Sequence, residues 1–289
     1  MSDKSMSASP LWLRALQFPL TRLVLLGGAV LLLMAVNNGF LEKFNDSPAI
    51  SVAITIGMAT LAVVLYSGFT RFVEQRPVFD LSLPGMGREL GMGLLIGASL
   101  YTVSVLVLMA LGMYRIVGLN PWTFVIPAVA MALSSGLFEE LIFRGILFRS
   151  VEDLCGSWIS LIVSAAVFGL IHLHNPAATV LGAISISIEA GVLLAAAYML
   201  TRRLWLSIGF HMSWNYVQSA IFSGAVSGNV AKPGLIRSNI KGPDILTGGV
   251  FGLESSAVAF VVCTATGIVL LVMAVRRGKI VPPIWKRAH

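Results

Sequence analysis

The chain has 289 residues, 57% of them hydrophobic and only 11% charged, with a mean hydropathy of +0.88. That composition excludes a soluble domain, which needs far more polar surface to stay dissolved. The 20 Lys and Arg against 13 Asp and Glu give a net charge of +7, yet these charges are spread over short connections rather than gathered on one face, which argues against a nucleic-acid partner.

Apolar runs of roughly 20 residues, the length that crosses a hydrocarbon core, recur along the chain. They predict an all-α, polytopic integral membrane helical bundle of about eight transmembrane helices. Residues 1–22 read as a cytoplasmic N-terminal segment, in which PLWLRALQFPL is suited to lie along the membrane surface. The first span, about 20–37, follows Arg14 and Arg22 and runs out in LLLMAVNNGF with no small-x-small cleavage site. It therefore reads as an uncleaved anchor rather than a signal peptide. The second span is expected at about 48–69, followed by a polar connection, about 70–90, at the cytoplasmic surface. The next five fall at about 91–113, 122–146, 157–173, 178–200 and 204–223. The connection 224–254, rich in Gly and Pro, faces the other side and is either flexible or partly re-entrant. An eighth span at about 255–275 completes a transmembrane domain over 23–275, and 276–289 form a basic cytoplasmic tail.

Most of the Lys and Arg, from Lys4, Arg14 and Arg22 through Arg76, Arg149, Arg202 and Arg203 to Arg277, fall on the side of the two termini. Lys43, Arg115, Lys232, Arg237 and Lys241 fall on the other. The bias places both termini in the cytoplasm. Cys155 and Cys263 are far apart and no CxxC occurs, so neither a redox pair nor a thiolate metal site is supported.

Chemistry concentrates between residues 136 and 216. A charge at the centre of a membrane helix costs about 2.5–3.5 kcal/mol on insertion scales, so each one needs a partner or a task. The predicted spans nevertheless carry Glu139, Glu140, Arg144, His172, Glu189 and His211, with Asn215 as a buried amide. Glu140 and Arg144 are four apart, share a helix face and can pair, leaving Glu139 about 100° away without a local partner. Phe168 and His172 repeat that interval, as do His211 and Asn215. A carboxylate, two imidazoles and an amide on three helices can thus converge on one cavity.

EExxxR at Glu139 to Arg144, FxxxH at Phe168 to His172 and HxxxN at His211 to Asn215 stand in that order on successive apolar segments. This arrangement resembles the CPBP family of intramembrane proteases, which includes the eukaryotic CAAX-processing endopeptidase and bacterial bacteriocin-processing or immunity proteins. The stretch LTRRLWLSIGFHMSWNY is similar to the bacterial branch, which implies a bacterial inner (plasma) membrane. The likeness spans residues 136–216. It implies an intramembrane endopeptidase with Glu139 and His172 on the attacking water and His211 and Asn215 on the oxyanion.

The residues themselves fit that assignment. Peptide hydrolysis needs an activated water, a stabilised oxyanion and a proton for the leaving amine, and a carboxylate in a low-dielectric cavity is suited to take water's proton. Arg144 would hold Glu140 and the helix end; Glu189, mid-span in SISISIEAGVLL, is a candidate to bond a site histidine, remain protonated or line a substrate path. His174, in HLHNP, reads as an interfacial loop residue. Glu139, His172 and His211 are also candidate ligands for Zn²⁺ or another divalent metal, while a glutamate-activated water alone satisfies the same pattern. HExxH is absent, as are paired YD and GxGD motifs, and Ser135-Gly136 lacks the first glycine of a GxSG serine site. The expected substrate is a membrane-associated peptide or membrane-protein segment, reached from a cavity open to the cytoplasm. The rival reading is a non-catalytic immunity protein or a proton-coupled transporter using the same polar cluster. Counting from the cytoplasmic boundary, His211 lies about 13 Å deep and His172 about 22 Å, so the fifth helix must start below the surface or tilt for the groups to meet.

Overall fold

The computed structural model describes residues 10–287, so Lys4 and the ends of the expected N-terminal segment and basic tail lie outside the described residues. A short helix α1 (Leu11–Gln17) stops at Phe18, whose backbone is extended as the residue before a proline requires. The helical runs α2 (Pro19–Lys43) and α3 (Pro48–Val73) each begin on a proline, which lacks the N–H that a helix start leaves unpaired. They are followed by α4 (Met86–Ala110), strand β1 (Tyr114–Leu119), the long run α5 (Trp122–His174), α6 (Val180–Thr201), α7 (Trp205–Tyr216), strand β2 (Ile236–Ile240) and α8 (Ala257–Arg276).

The chain is an all-α polytopic membrane protein. Among the described residues six runs, α2 to α6 and α8, are long and apolar enough to cross a membrane by length and composition, where the sequence suggested about eight spans. Two facts account for the difference. The expected fourth and fifth spans form one run of 53 residues, which breaks at Gly156, a residue at φ 77°. The expected seventh span is α7, 12 residues carried on by 5 in π-helical turns to Ile221, at the short limit of a crossing. The structure also adds a two-stranded antiparallel ribbon, with Tyr114 of β1 opposite Ile240 of β2, that hydrophobic periodicity did not indicate.

The distribution of side chains inverts that of a soluble protein. Leu25, Leu32, Ile56, Val64, Leu95 and Val261 are exposed on the helices, whereas Arg22, Glu140, Arg144, Arg149, Glu189 and His211 are buried. Hydrocarbon outside and polar groups inside is the arrangement a bilayer demands. Helix contact is made by small residues. Gly93 and Gly97, one turn apart on α4, lie against the α7 backbone so closely that a β-carbon on either would strike the carbonyl of Leu206 or of Phe210.

One end of the bundle is tied by buried and half-buried ion pairs. The Glu74 carboxylate receives Arg22 at 2.8 Å and Arg149 at 2.6 Å, Asp80 receives Arg76 at 2.6 Å, and Arg202 reaches Glu152 at 2.6 Å. The Tyr66 hydroxyl donates to Asp80, and the Leu204 amide donates to the Asp80 carbonyl. The connection expected as a surface loop thus has its acidic residues folded in as counter-ions for the helix ends. Burial by itself would raise the Glu74 carboxyl; the charge of Arg149 and the bond from Arg22 outweigh it and hold the group at about 2. Arg22, Arg76, Arg149, Arg202 and Arg203, all assigned to one side by the charge bias, meet at this end.

Candidate active site

The EExxxR segment lies where α5 widens into π turns, Ser135–Glu139 and Leu141–Phe148. Such turns shift side chains off the regular helical face and are frequent at functional sites. Gly136 lets α7 come close, because a β-carbon there would press on the side chain of Met212 and its backbone nitrogen. The approach puts both glutamates beside the α7 histidine.

Glu140 and Arg144 are both fully buried and pair at 2.7 Å. A second guanidinium nitrogen donates to the Gly191 carbonyl on α6 at 3.2 Å, and the guanidinium carbon lies 4.6 Å from the ring centre of Phe168. The Glu140 oxygen that binds Arg144 also meets His211 Nδ1 at 3.0 Å. The carboxylate can only accept, so this contact assigns the proton to Nδ1 and turns Nε2 toward Glu139, whose Oε2 stands 3.8 Å away. That Glu139 oxygen is buried and accepts no hydrogen bond from the described residues. Four apart from His211, Asn215 donates one N–H to Ser135 Oγ at 2.9 Å and keeps its second for another acceptor. The Ser135 hydroxyl is therefore engaged by an amide and by the Ala132 carbonyl, not by a histidine.

His172 stands apart. Its Nδ1 binds the Phe168 carbonyl at 2.6 Å, and its ring centre lies 5.0 Å from that of Phe168, which in turn lies 5.8 Å from the His211 ring. Among the described residues it has no hydrogen bond or ion pair with Glu139 or His211. The depth mismatch seen in the sequence explains this spacing. Ser157 and Arg202 both bind Glu152 and so share a level. Eleven residues on, Phe168 reaches about the depth that His211 reaches in nine, and His172 lies a turn further. Phe168 is thus the hub, touching Arg144, His211 and His172. His174 is exposed, in the 3-10 turn His172–His174 that ends α5.

Beyond this cluster a cavity is lined by Glu189, His211, Trp214, Asn215, Ser227 and Glu254. Ser227 and Glu254 come from the connection 224–254, so the cavity extends toward the end opposite the arginine cluster. That connection is held in place: Glu254 is 5% exposed and accepts from Trp214 Nε1 at 3.0 Å and from the Ser227 amide at 2.5 Å. Burial raises the Glu254 carboxyl above its ordinary range, against the bond from Ser227 and the nearby charge of His172. Glu189 is 2% exposed, and among the described residues neither of its oxygens has a hydrogen-bond partner, a site histidine included.

Sequence reasoning missed Glu254, Trp214 and Ser135 as parts of this site. Glu254 lies one residue before the eighth expected span and so escaped a search for charges within spans. Among the described residues, no three His, Cys, Asp or Glu side chains are grouped to hold a metal ion. Glu139 and His211 are neighbours, but His172 is separated from them by the Phe168 ring, so the three do not form a ligand set for Zn²⁺ or another divalent ion. The comparisons bear on the same region. Residues 121–217, which carry all three motifs, match the family model described as type II CAAX prenyl endopeptidase Rce1-like. No curated protein and no solved structure matches the chain.

Proposed function

From the premise that residues 121–217 belong to the Rce1-like type II CAAX prenyl endopeptidase family, we propose that the chain is an intramembrane endopeptidase whose water is activated by Glu139. The substrate is a membrane-associated peptide or a membrane-protein segment. Both termini face the cytoplasm, and the membrane is a bacterial inner membrane.

The observation that carries the reading is the pair formed by Glu139 Oε2 and His211 Nε2, 3.8 Å apart, with the carboxylate oxygen buried and unbonded. A water held between them donates one proton to each. Glu139 removes its proton as the oxygen attacks the scissile carbonyl carbon, forming the new C–O bond and the tetrahedral oxyanion. The free N–H of Asn215 stabilises that oxyanion, and Glu139 then returns its proton to the nitrogen as the C–N bond breaks. This exchanges two of the expected roles: His211 shares the water with Glu139, and His172, set a turn deeper, approaches the substrate from the far side. Glu140 and Arg144 act through His211, fixing its tautomer and the direction of its ring.

The scheme is tested by purifying the Glu139→Ala and His211→Ala proteins and assaying cleavage of a membrane peptide that the wild type processes. Both variants are expected to be folded and inactive. Retained cleavage in either one contradicts the mechanism.

A further inference from the structure

We propose that the cavity beside His211 and Asn215, whose free volume of about 20 Å³ admits a water-sized group, binds the ammonium of a substrate lysine next to the scissile bond, through Glu189 and Glu254. The inference rests on the peptidase reading for the identity of the ligand as a peptide, but its geometry stands on different residues.

Glu189 carries the argument. The residue is 2% exposed, both carboxyl oxygens lack a hydrogen-bond partner among the described residues, and it lines the cavity. A buried carboxyl with nothing to bind is costly and is retained where a ligand completes it. Glu254 faces the same space from the opposite connection, oriented by Trp214 and the Ser227 amide. Among the described residues, neither acid pairs with a lysine or arginine. The buried Arg144 is spent on Glu140, the Gly191 carbonyl and the Phe168 ring.

The remaining walls are apolar, part aromatic and part aliphatic with Ile186 and Leu194. Phe168, Phe210 and Trp214 line the cavity, with the last two stacked at 5.8 Å and 17°. Aromatic faces together with carboxylates suit an organic cation, which gains from the ring quadrupole and from charge pairing at once. An acidic side chain meets two carboxyl groups and is rejected. A neutral apolar one leaves Glu189 unpaired, and a site built for a polar partner discriminates strongly against an analogue that lacks it. Because His211 and Asn215 border the same cavity, the cation belongs to a residue adjacent to the bond being cut.

The test is binding, which needs no turnover. Full-length protein carrying Glu139→Gln is placed in phosphatidylcholine nanodiscs, whose neutral surface does not itself favour lysine. Acetyl-leucyl-lysyl-leucinamide and its norleucine analogue are titrated by calorimetry. The lysine peptide is expected to bind at least about tenfold more tightly, and that preference should vanish when Glu189→Gln is added. Equal affinity for the two peptides overturns the proposal before any second variant is made, and so does a preference that survives Glu189→Gln. Should that variant not fold, Glu254→Gln is expected to weaken the preference instead; an unchanged preference there counts against the site. A lysine preference in a protein that, with Glu139 intact, cleaves no peptide would sink the peptidase reading and leave the cation site standing.

Discussion

Glu139 and Glu140 are chemically identical neighbours with opposite environments. Glu140 is fully buried and bound to Arg144 and His211; Glu139 has a buried oxygen that the protein leaves unbonded. Their removal should therefore separate stability from activity. Glu140→Gln strands a guanidinium with no exposure and is expected to cost about 3–5 kcal/mol, read as a lowered melting temperature in detergent. Glu139→Gln strands nothing, so the melting temperature should hold while the cleavage rate falls by about a hundredfold to ten-thousandfold. Asn215→Ala is expected to cost about a hundredfold to a thousandfold in kcat, the usual loss for one oxyanion donor. The Glu140–Arg144 pair was legible in the sequence because four residues on one helix fix the contact. The bond from His211 to Glu140 was not, since spacing along one helix says nothing about which face of another it meets. Glu254 was hidden for a related reason: its chain neighbourhood reads as a loop, and only the folded connection brings it under Trp214.

At the scale of elements, the site depends on close helix contact and on the clamp of ions at one end. Gly97→Leu forces a side chain into the Phe210 carbonyl and Ser213, and should cost about 1–3 kcal/mol. Gly91→Leu on the same helix meets nothing within 4 Å and should be neutral; equal effects of the two would mean that α4 and α7 are not packed through Gly97. The ion clamp has a pH signature. Glu74 has an ordinary value of 4.5 and is held at about 2 in the folded protein. A lowered carboxylate contributes stability that is complete above 4.5 and is lost as the pH falls from there toward 2. Melting temperature should drop across that window in the wild type, whereas Glu74→Gln should start lower at neutral pH and fall less steeply. The clamp also marks what composition conceals: the segment 70–90 is polar enough to read as a surface connection, but its acids are counter-ions for arginines on other helices.

The whole molecule was legible in its class and less so in its count. Apolar runs gave the helices because crossing a bilayer leaves few alternatives. They did not reveal that two runs join into one of 53 residues turning at Gly156, since a glycine at φ 77° looks in sequence like any other. Nor did they reveal the ribbon of β1 and β2, which pairs residues more than a hundred positions apart. The three motifs lie on the segments that meet around Phe168, and their depth arithmetic already pointed to His172 lying deeper than His211. The central claim is that a glutamate in this buried cluster activates water to cut peptides in the membrane. It is tested most directly by comparative mass spectrometry of membrane peptides from cells producing equal amounts of wild-type or Glu139→Ala protein. The account predicts a set of new peptide termini present with the wild type and lost in the variant; identical termini from both, with the variant folded, would contradict it.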